Sequence, residues 1–220
     1  MKSNLTDIVL VVDASSSMTK GYDETLMALN AFIKSQQHKE GLCNLTLIKF
    51  SSNKYSVVPN WYQNLFTELD VNSIKEVTKE QYTVGGYTAL YDAVNKAIDD
   101  TGLRLSIKPE SERPSKVLFV ILTDGEENSS KTTLYDLKNK IARQENVYSW
   151  NFVFLGADFN SEVTTSALGL DADARNVNYD KRDAVKALLN VGECVVGYRN
   201  AGMSKLSDDF ANSVKRGMAK

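Results

Sequence analysis

The sequence is poor in the residues that build soft-metal or redox sites. In 220 residues it has two cysteines, Cys43 and Cys194, and one histidine, His38. The cysteines are far apart and lack any metal-type spacing, so they read as reduced thiols in a reducing compartment, packed as small hydrophobes. His38 follows the polar end of a helix and reads as exposed rather than catalytic. No apolar stretch approaches the roughly 20 residues needed to cross a bilayer. The N-terminus, "MKSNLTD", runs into the first strand without a signal-peptide pattern, and a cytoplasmic setting is the expectation. Neither sign of charge dominates: 26 Lys and Arg face 28 Asp and Glu, a net charge of −2. Neither nucleic acid nor an anionic membrane is therefore expected as the main partner. There is no internal repeat, no low-complexity linker and no Gly-x-x-x-x-Gly-Lys-Ser/Thr loop for nucleotide hydrolysis.

What remains is the composition of a globular chain, 42% hydrophobic and 25% charged, long enough for one good-sized core or two very small ones. "DIVLVV" (7–12), "KVLFVILTDG" (116–125) and "SWNFVFLGAD" (149–158) are uninterrupted apolar runs, as expected of strands covered on both faces. "CNLTLIKFSS" (43–52) alternates, and "KYSVVPNWY" (54–62) follows it closely enough to suggest a hairpin and an antiparallel edge strand, where Pro59 is tolerated. Residues 63–84 read as a long polar connection, and "ARNVNY" (174–179) as a weak last strand. Helical stripes recur at Tyr22, Leu26, Leu29 and Ile33, and at Leu90, Val94, Ala97 and Ile98. A third runs through Leu134, Leu137 and Ile141, opened by a Thr133–Asp136 cap. A short helix ending at 168–169 is expected, then a last one over 181–198, capped by Asp180 or Asp183 and carrying Val185, Leu188, Leu189, Val195 and Val196. Residues 1–200 read as one domain. Residues 201–220, with Lys205, Lys215, Arg216 and Lys220, read as a polar basic tail or loosely docked helix. Such alternation predicts an α/β fold: an open, mostly parallel sheet with helices on both faces and ligands at the carboxyl ends of its central strands.

Three segments can meet at that edge: "DASSS" (13–17), "GYT" (86–88) and "TDG" (123–125). Together they supply two carboxylates and several hydroxyls, with no His or Cys nearby in sequence. Oxygen-only donors suit a hard divalent cation such as magnesium or manganese, whereas zinc favours nitrogen or sulfur. In Asp-x-Ser-x-Ser the alternate side chains can turn to one side of a loop. Two carboxylates balance a dication, and the hydroxyls add no charge, so the metal keeps its affinity for one more carboxylate. Each segment also has a plainer use: serines after a strand cap helices, Thr88 is placed to cap the helix at 89–100, and Gly85-Gly86 and "TDG" form turns.

The combined pattern resembles the von Willebrand factor type A (vWA) domains, whose metal-ion-dependent adhesion site (MIDAS) carries Asp-x-Ser-x-Ser…Thr…Asp. The matching residues are Asp13, Ser15 and Ser17, then Thr88 in "GGYTALYDAV" and Asp124 in "ILTDGEEN". The resemblance spans about residues 5–197 and is closest to stand-alone cytoplasmic forms from bacteria and phages. It implies a doubly wound, Rossmann-like sheet of about six strands in the order 3-2-1-4-5-6, with strand 3 antiparallel. It further implies Mg2+ (or Mn2+) held by the hydroxyls of Ser15, Ser17 and Thr88, with Asp13 and Asp124 acting directly or through water. The partner would be a protein presenting an Asp or Glu. The resemblance also implies a final helix whose position responds to the metal.

The leading expectation is therefore a non-catalytic, metal-dependent protein-binding module with no enzyme activity. A metal-dependent phosphohydrolase with Asp13 as nucleophile is the alternative, but it would want a second acid where Ser15 stands. A scaffold subunit of a larger ATPase or particle shares the same metal chemistry. Tyr22, Tyr87 and Glu126 are expected around the site, Glu127 as a solvated loop residue, and Trp61 and Trp150 in or beside the sheet.

Overall fold

The two longest apolar runs lie side by side at the centre of a six-stranded sheet. The structure is a computed structural model, and it describes residues 1–52, 61–124, 127–157, 176–201, 206 and 210–218. Strand β1 (Lys2–Asp13) pairs in parallel with β4 (Pro114–Thr123) on one side and β2 (Leu42–Phe50) on the other. Beyond them lie β5 (Asn151–Ala157) and β6 (Asn176–Tyr179), and on the opposite edge β3 (Tyr62–Asp70). The order is β3-β2-β1-β4-β5-β6, with β3 antiparallel to β2 and every other pair parallel.

Parallel strands need crossovers, and these place helices on both faces. Helices α1 (Tyr22–Gln36) and α4 (Ala184–Asn200) cover one face, where Ile8, Leu10, Val12, Leu118, Val120 and Leu122 are buried. Helices α2 (Leu90–Ser106) and α3 (Leu134–Tyr148) cover the other, over Val9, Val11, Phe119 and Ile121. Successive β1 residues thus alternate between two cores, which is why the strand reads as an unbroken apolar run. A further helix, α5 (Phe210–Met218), packs on α4 and buries Phe210 and Val214 in the first core. Trp150 stacks on Phe119 with ring centroids 5.5 Å apart, and Trp61 borders the second core. Neither cysteine is in a disulfide, and burial pushes the Cys43 thiol up to about 12, leaving it chemically inert.

The helices against the first core are tied by buried polar groups. Gln36 Nε2 donates to Gly192 O (2.8 Å), and a Cβ at Gly192 would collide with the Ser35 hydroxyl. Arg199 donates to the carbonyls of Gln36, Glu40 and Gly41 at the end of α1. Lys116 Nζ donates to the carbonyls of Tyr198, Arg199 and Ala201 at the end of α4.

The third strand differs from expectation. The antiparallel edge strand is Tyr62–Asp70, which starts at the last residue of the expected strand and runs through the stretch read as a polar connection, while residues 54–60 of the expected strand lie outside the described residues. The cause is an irregular ladder. Register shifts fall between Leu45 and Leu47 and between Leu47 and Ile48, and Glu68 adopts φ 51°, so inward and outward residues do not alternate. The helix expected to end at 168–169 also lies outside the described residues. The last helix begins at Ala184, after a 3-10 turn over Lys181–Asp183, and its Asp183 side chain makes no cap bond. Val191 rather than the exposed Leu189 faces the core.

Leu10 is fully buried at the middle of β1. Leu10→Ala should destabilise the fold by about 2–5 kcal/mol, measured by urea denaturation, because a central strand clamped on both sides cannot relax into the cavity.

Candidate metal centre

The chain leaves β1 towards β2 on one side and enters β4 on the other, so the carboxyl ends of β1 and β4 flank a switch point of the sheet. Val12 and Leu122 are in register, which brings Asp13 and Thr123 to adjacent strand ends. Asp13 is fully buried. Its Oδ1 accepts from the Ser15 backbone N–H (2.7 Å) and its Oδ2 from the Thr123 hydroxyl (2.7 Å). Its carbonyl accepts from the buried Tyr82 hydroxyl (2.6 Å). Tyr82 is in turn stacked on Tyr22, whose hydroxyl donates to Tyr82 O (2.8 Å).

From Asp13 a line of oxygens crosses the edge. The Ser15 and Ser17 hydroxyls are 2.9 Å apart, and Ser17 Oγ donates to Asp124 Oδ1 (2.6 Å). Four of the five residues singled out in the sequence are thus joined, by hydrogen bonds spanning 107 residues of chain between Ser17 and Asp124. The fifth, Thr88, is buried between the two outer loops. Its N–H donates to Asn128 Oδ1 (3.0 Å) and its carbonyl accepts from Asn128 N–H (3.1 Å). The preceding turn docks on the first loop, with Gly85 N–H donating to Ala14 O (2.7 Å) and Ser16 N–H to Gly86 O (3.0 Å). Gly86 has φ 85°, and a Cβ there would run into the Ser52 carbonyl. Only glycine permits that approach.

Burial pushes the Asp13 carboxyl up to about 6, against the downward pull of the Thr123 and Ser15 hydrogen bonds; Asp124 adds a small upward push. Among the described residues, no group of three or more His, Cys, Asp or Glu side chains is placed to hold a metal ion. The donors here are instead two carboxylates, both buried, and hydroxyls. That set fits a hard dication: its charge is balanced, its atoms are all oxygen, and among the described residues the buried Asp13 has no cation as a hydrogen-bond partner.

Glu127 is not the solvated loop residue expected. Its Oε1 accepts from the N–H groups of Ser129 (2.7 Å) and Ser130 (2.6 Å). Its Oε2 accepts from the Ser130 hydroxyl (2.7 Å) and from Tyr91 N–H (2.9 Å) in the first turn of α2. Ser130 Oγ accepts from Asp92 N–H (3.0 Å), while Asp92 accepts from the N–H groups of Lys131 and Thr132. Helix α2 is thus capped by the loop that carries Asp124, not by Thr88. The sequence signal was Ala89: a residue without a side-chain acceptor at the helix start leaves N–H groups that need one from elsewhere. Tyr22 braces Tyr82, Tyr87 is exposed and its N–H donates to Ser52 O (2.5 Å), and Glu126 lies outside the described residues. His38 is exposed, as expected.

Two outcomes follow from this geometry. Folding raises the Asp13 pKa from 3.8 to about 6, so the ionised group costs stability above pH 6; the cost shrinks as pH falls and is gone below 3.8. Asp13→Asn should therefore stabilise the metal-free protein by about 1–3 kcal/mol at pH 7.5 and by nothing near pH 3.8, read by thermal melts in chelator. Glu127→Gln places an amide against donors and should cost about 1–3 kcal/mol, with faster hydrogen exchange at Tyr91 and Ser130.

The model of the von Willebrand factor type A domain matches residues 7–190 of the chain. The fold is similar to that of the pilus adhesin SpaC from Lactobacillus rhamnosus GG in its open conformation, with TM-score 0.62 and 17% identity over 90% of this chain and 30% of that one. It is also similar to proximal thread matrix protein 1 from the mussel byssus with a zinc-occupied MIDAS motif (TM-score 0.58, 15% identity, 88% and 46% covered). Manganese-loaded TRAP protein of Plasmodium vivax gives TM-score 0.55 and 17% identity, with 87% and 74% covered. The chain spans less than a third of SpaC and less than half of the mussel protein. No curated protein matches it in sequence. With the family model matched over most of its length, the chain belongs to the von Willebrand factor type A domain family.

Proposed function

We propose that this chain is a divalent-metal-dependent protein-binding module without catalytic activity, in which a partner's Asp or Glu completes the coordination. The observation that carries this reading is the hydrogen-bonded line Asp13–Ser15–Ser17–Asp124, with Thr88 docked beside it, at the switch point of the sheet. Ser15, Ser17 and Thr88 would hold the ion through hydroxyls, and Asp13 and Asp124 directly or through water. The bound ion would supply an electrophilic centre for one more oxygen ligand. Magnesium or manganese is the proposed ion, because every donor is a hard oxygen. A mussel relative carries zinc in its motif and a Plasmodium relative carries manganese, which supports a site open to more than one dication.

The protein's own groups do the positioning. Thr123 and the Ser15 N–H orient the Asp13 carboxylate, and Tyr82 fixes the backbone from which it projects. Asn128 holds Thr88 to the Asp124 loop, so that a partner pulling on one loop moves the other. Among the described residues no helix is long and apolar enough to cross a membrane. We place the module in the cytoplasm, where thiols such as Cys43 stay reduced. Its partner is a protein rather than nucleic acid or a membrane.

Calorimetric titration of chelator-stripped protein with MgCl2 or MnCl2 should show one saturable site. Asp13→Ala should weaken binding by about 100-fold or more, and Ser17→Ala by about tenfold. Affinity should fall by about tenfold per pH unit below pH 6, where a proton competes for Asp13. Unchanged binding in Asp13→Ala would sink the proposal.

A further inference from the structure

Beside the candidate metal centre a cavity of about 380 Å3 opens between the carboxyl end of β2, the edge strand β3 and the turn before α2. Ala14 and Gly86 line it, and both belong to the loops of the metal centre, so the two share a wall. Lys49, Trp61, Gln63 and Thr83 also line it.

Lys49 is the unusual member. It is only 8% exposed, and its Nζ donates to Gln81 O (2.7 Å) and Thr83 Oγ1 (2.8 Å), both neutral. An ammonium has three N–H groups, and burying one without an anion is costly. Among the described residues no carboxylate pairs with Lys49, and its directly opposed neighbour on β3 is the neutral Gln63. The chain between Ser52 and Trp61 (53–60) contains no acidic residue. Burial alone accounts for the lowering of the Lys49 pKa, with no acid opposing it. The other buried cations among the described residues have more acceptors: Lys116 has three carbonyls, and Arg199 has the carbonyls of Gln36, Glu40 and Gly41 with the Gln36 side-chain oxygen. Lys49 thus lines a cavity with two neutral acceptors and, among the described residues, no acid to balance its charge.

We propose that this cavity takes a second carboxylate from the same acidic partner segment, so that one acid completes the metal and another pairs with Lys49. The inference rests on the metal-dependent reading above. Lys49 lies on the strand next to β1, in register with Val12 and one residue short of the row of Asp13. The Val12 side chain faces the first core, whereas Asp13, one residue on, leaves the sheet on the other face, so with side chains added the two points lie roughly 10 Å apart or more. Acids at positions i and i+2 of an extended segment have backbones about 6.6 Å apart on one side, and two glutamate side chains splayed apart extend that reach across the gap. Trp61 and Gln63 would contact the residue between or after them.

The probes are acetyl-Glu-Gly-Glu-amide and its two single-acid forms with Gln in place of one Glu. Each is titrated against 15N-labelled full chain in MgCl2 and followed at the Trp61 indole and the Ser51 and Ser52 amides. The diacid should bind about tenfold more tightly than either monoacid. That advantage should vanish in Lys49→Met and in Gln63→Glu; the latter gives the ammonium an internal partner and adds to the fold rather than weakening it. Equal affinities in the wild type would overturn the proposal, as would an advantage that survives both variants. Inorganic phosphate displacing the diacid from Trp61 at equal concentration would also overturn it, assigning the cavity to free anions. Asp13→Ala separates the two readings. It should remove the magnesium dependence while leaving a weak Lys49-dependent preference for the diacid. If Asp13→Ala changes nothing but Lys49→Met still abolishes the preference, the metal reading fails and the anion pocket stands.

Discussion

The Asp13 carboxylate joins the sheet to its edge loops. One oxygen takes a backbone N–H from its own loop, and the other takes a hydroxyl from β4, so a single buried acid fixes the first loop relative to the neighbouring strand. Every further contact at the edge is built on that anchor. Ser15 and Ser17 carry the hydrogen bonds to Asp124, and Ala14 and Ser16 receive the turn that delivers Thr88. The arrangement is strained in one respect: burial disfavours the charge that the contacts require, as the raised pKa records. A cation would relieve that conflict without moving the backbone.

The same electrostatic logic runs through the helices. Lys116 and Arg199 meet the carbonyl ends of α4 and α1, while Glu127 meets the amide end of α2. Cations at helix C-termini and an anion at an N-terminus each oppose the macrodipole. The placement also divides the molecule. The acidic acceptors gather at the carboxyl edge of the sheet, where the candidate metal centre lies. Lys116 and the Arg104–Asp7 pair work further from that edge, level with the start of β4.

Much of this was legible in the chain itself. β1 and β4 announce themselves as unbroken apolar runs because both faces are covered, and α1 and α2 as stripes because only one face is. Asp13, Ser15, Ser17 and Asp124 could be grouped because short-range spacing and strand ends place them at one edge. What could not be read were interactions between distant segments. Glu127 looks like a solvated acid until the start of α2 is seen to lack its own cap. Tyr82 looks like part of a polar connection until it is found buried against Asp13. Lys49 sits in an alternating strand where a lysine ordinarily faces water, and only the fold shows what surrounds it. The edge strand was displaced because bulges remove the alternation by which strands are recognised.

Those bulges have a consequence for how the sheet ends. An exposed strand edge is a template on which another copy can add, and proteins blunt such edges to remain dispersed. Here β3 is kinked by two register shifts and by a left-handed residue at Glu68, while on the far side the described residues of β6 number four. Among the described residues neither border offers a long, flat row of amides and carbonyls. The irregularity that hid β3 in the sequence thus also discourages edge-to-edge polymerisation on that side of the sheet.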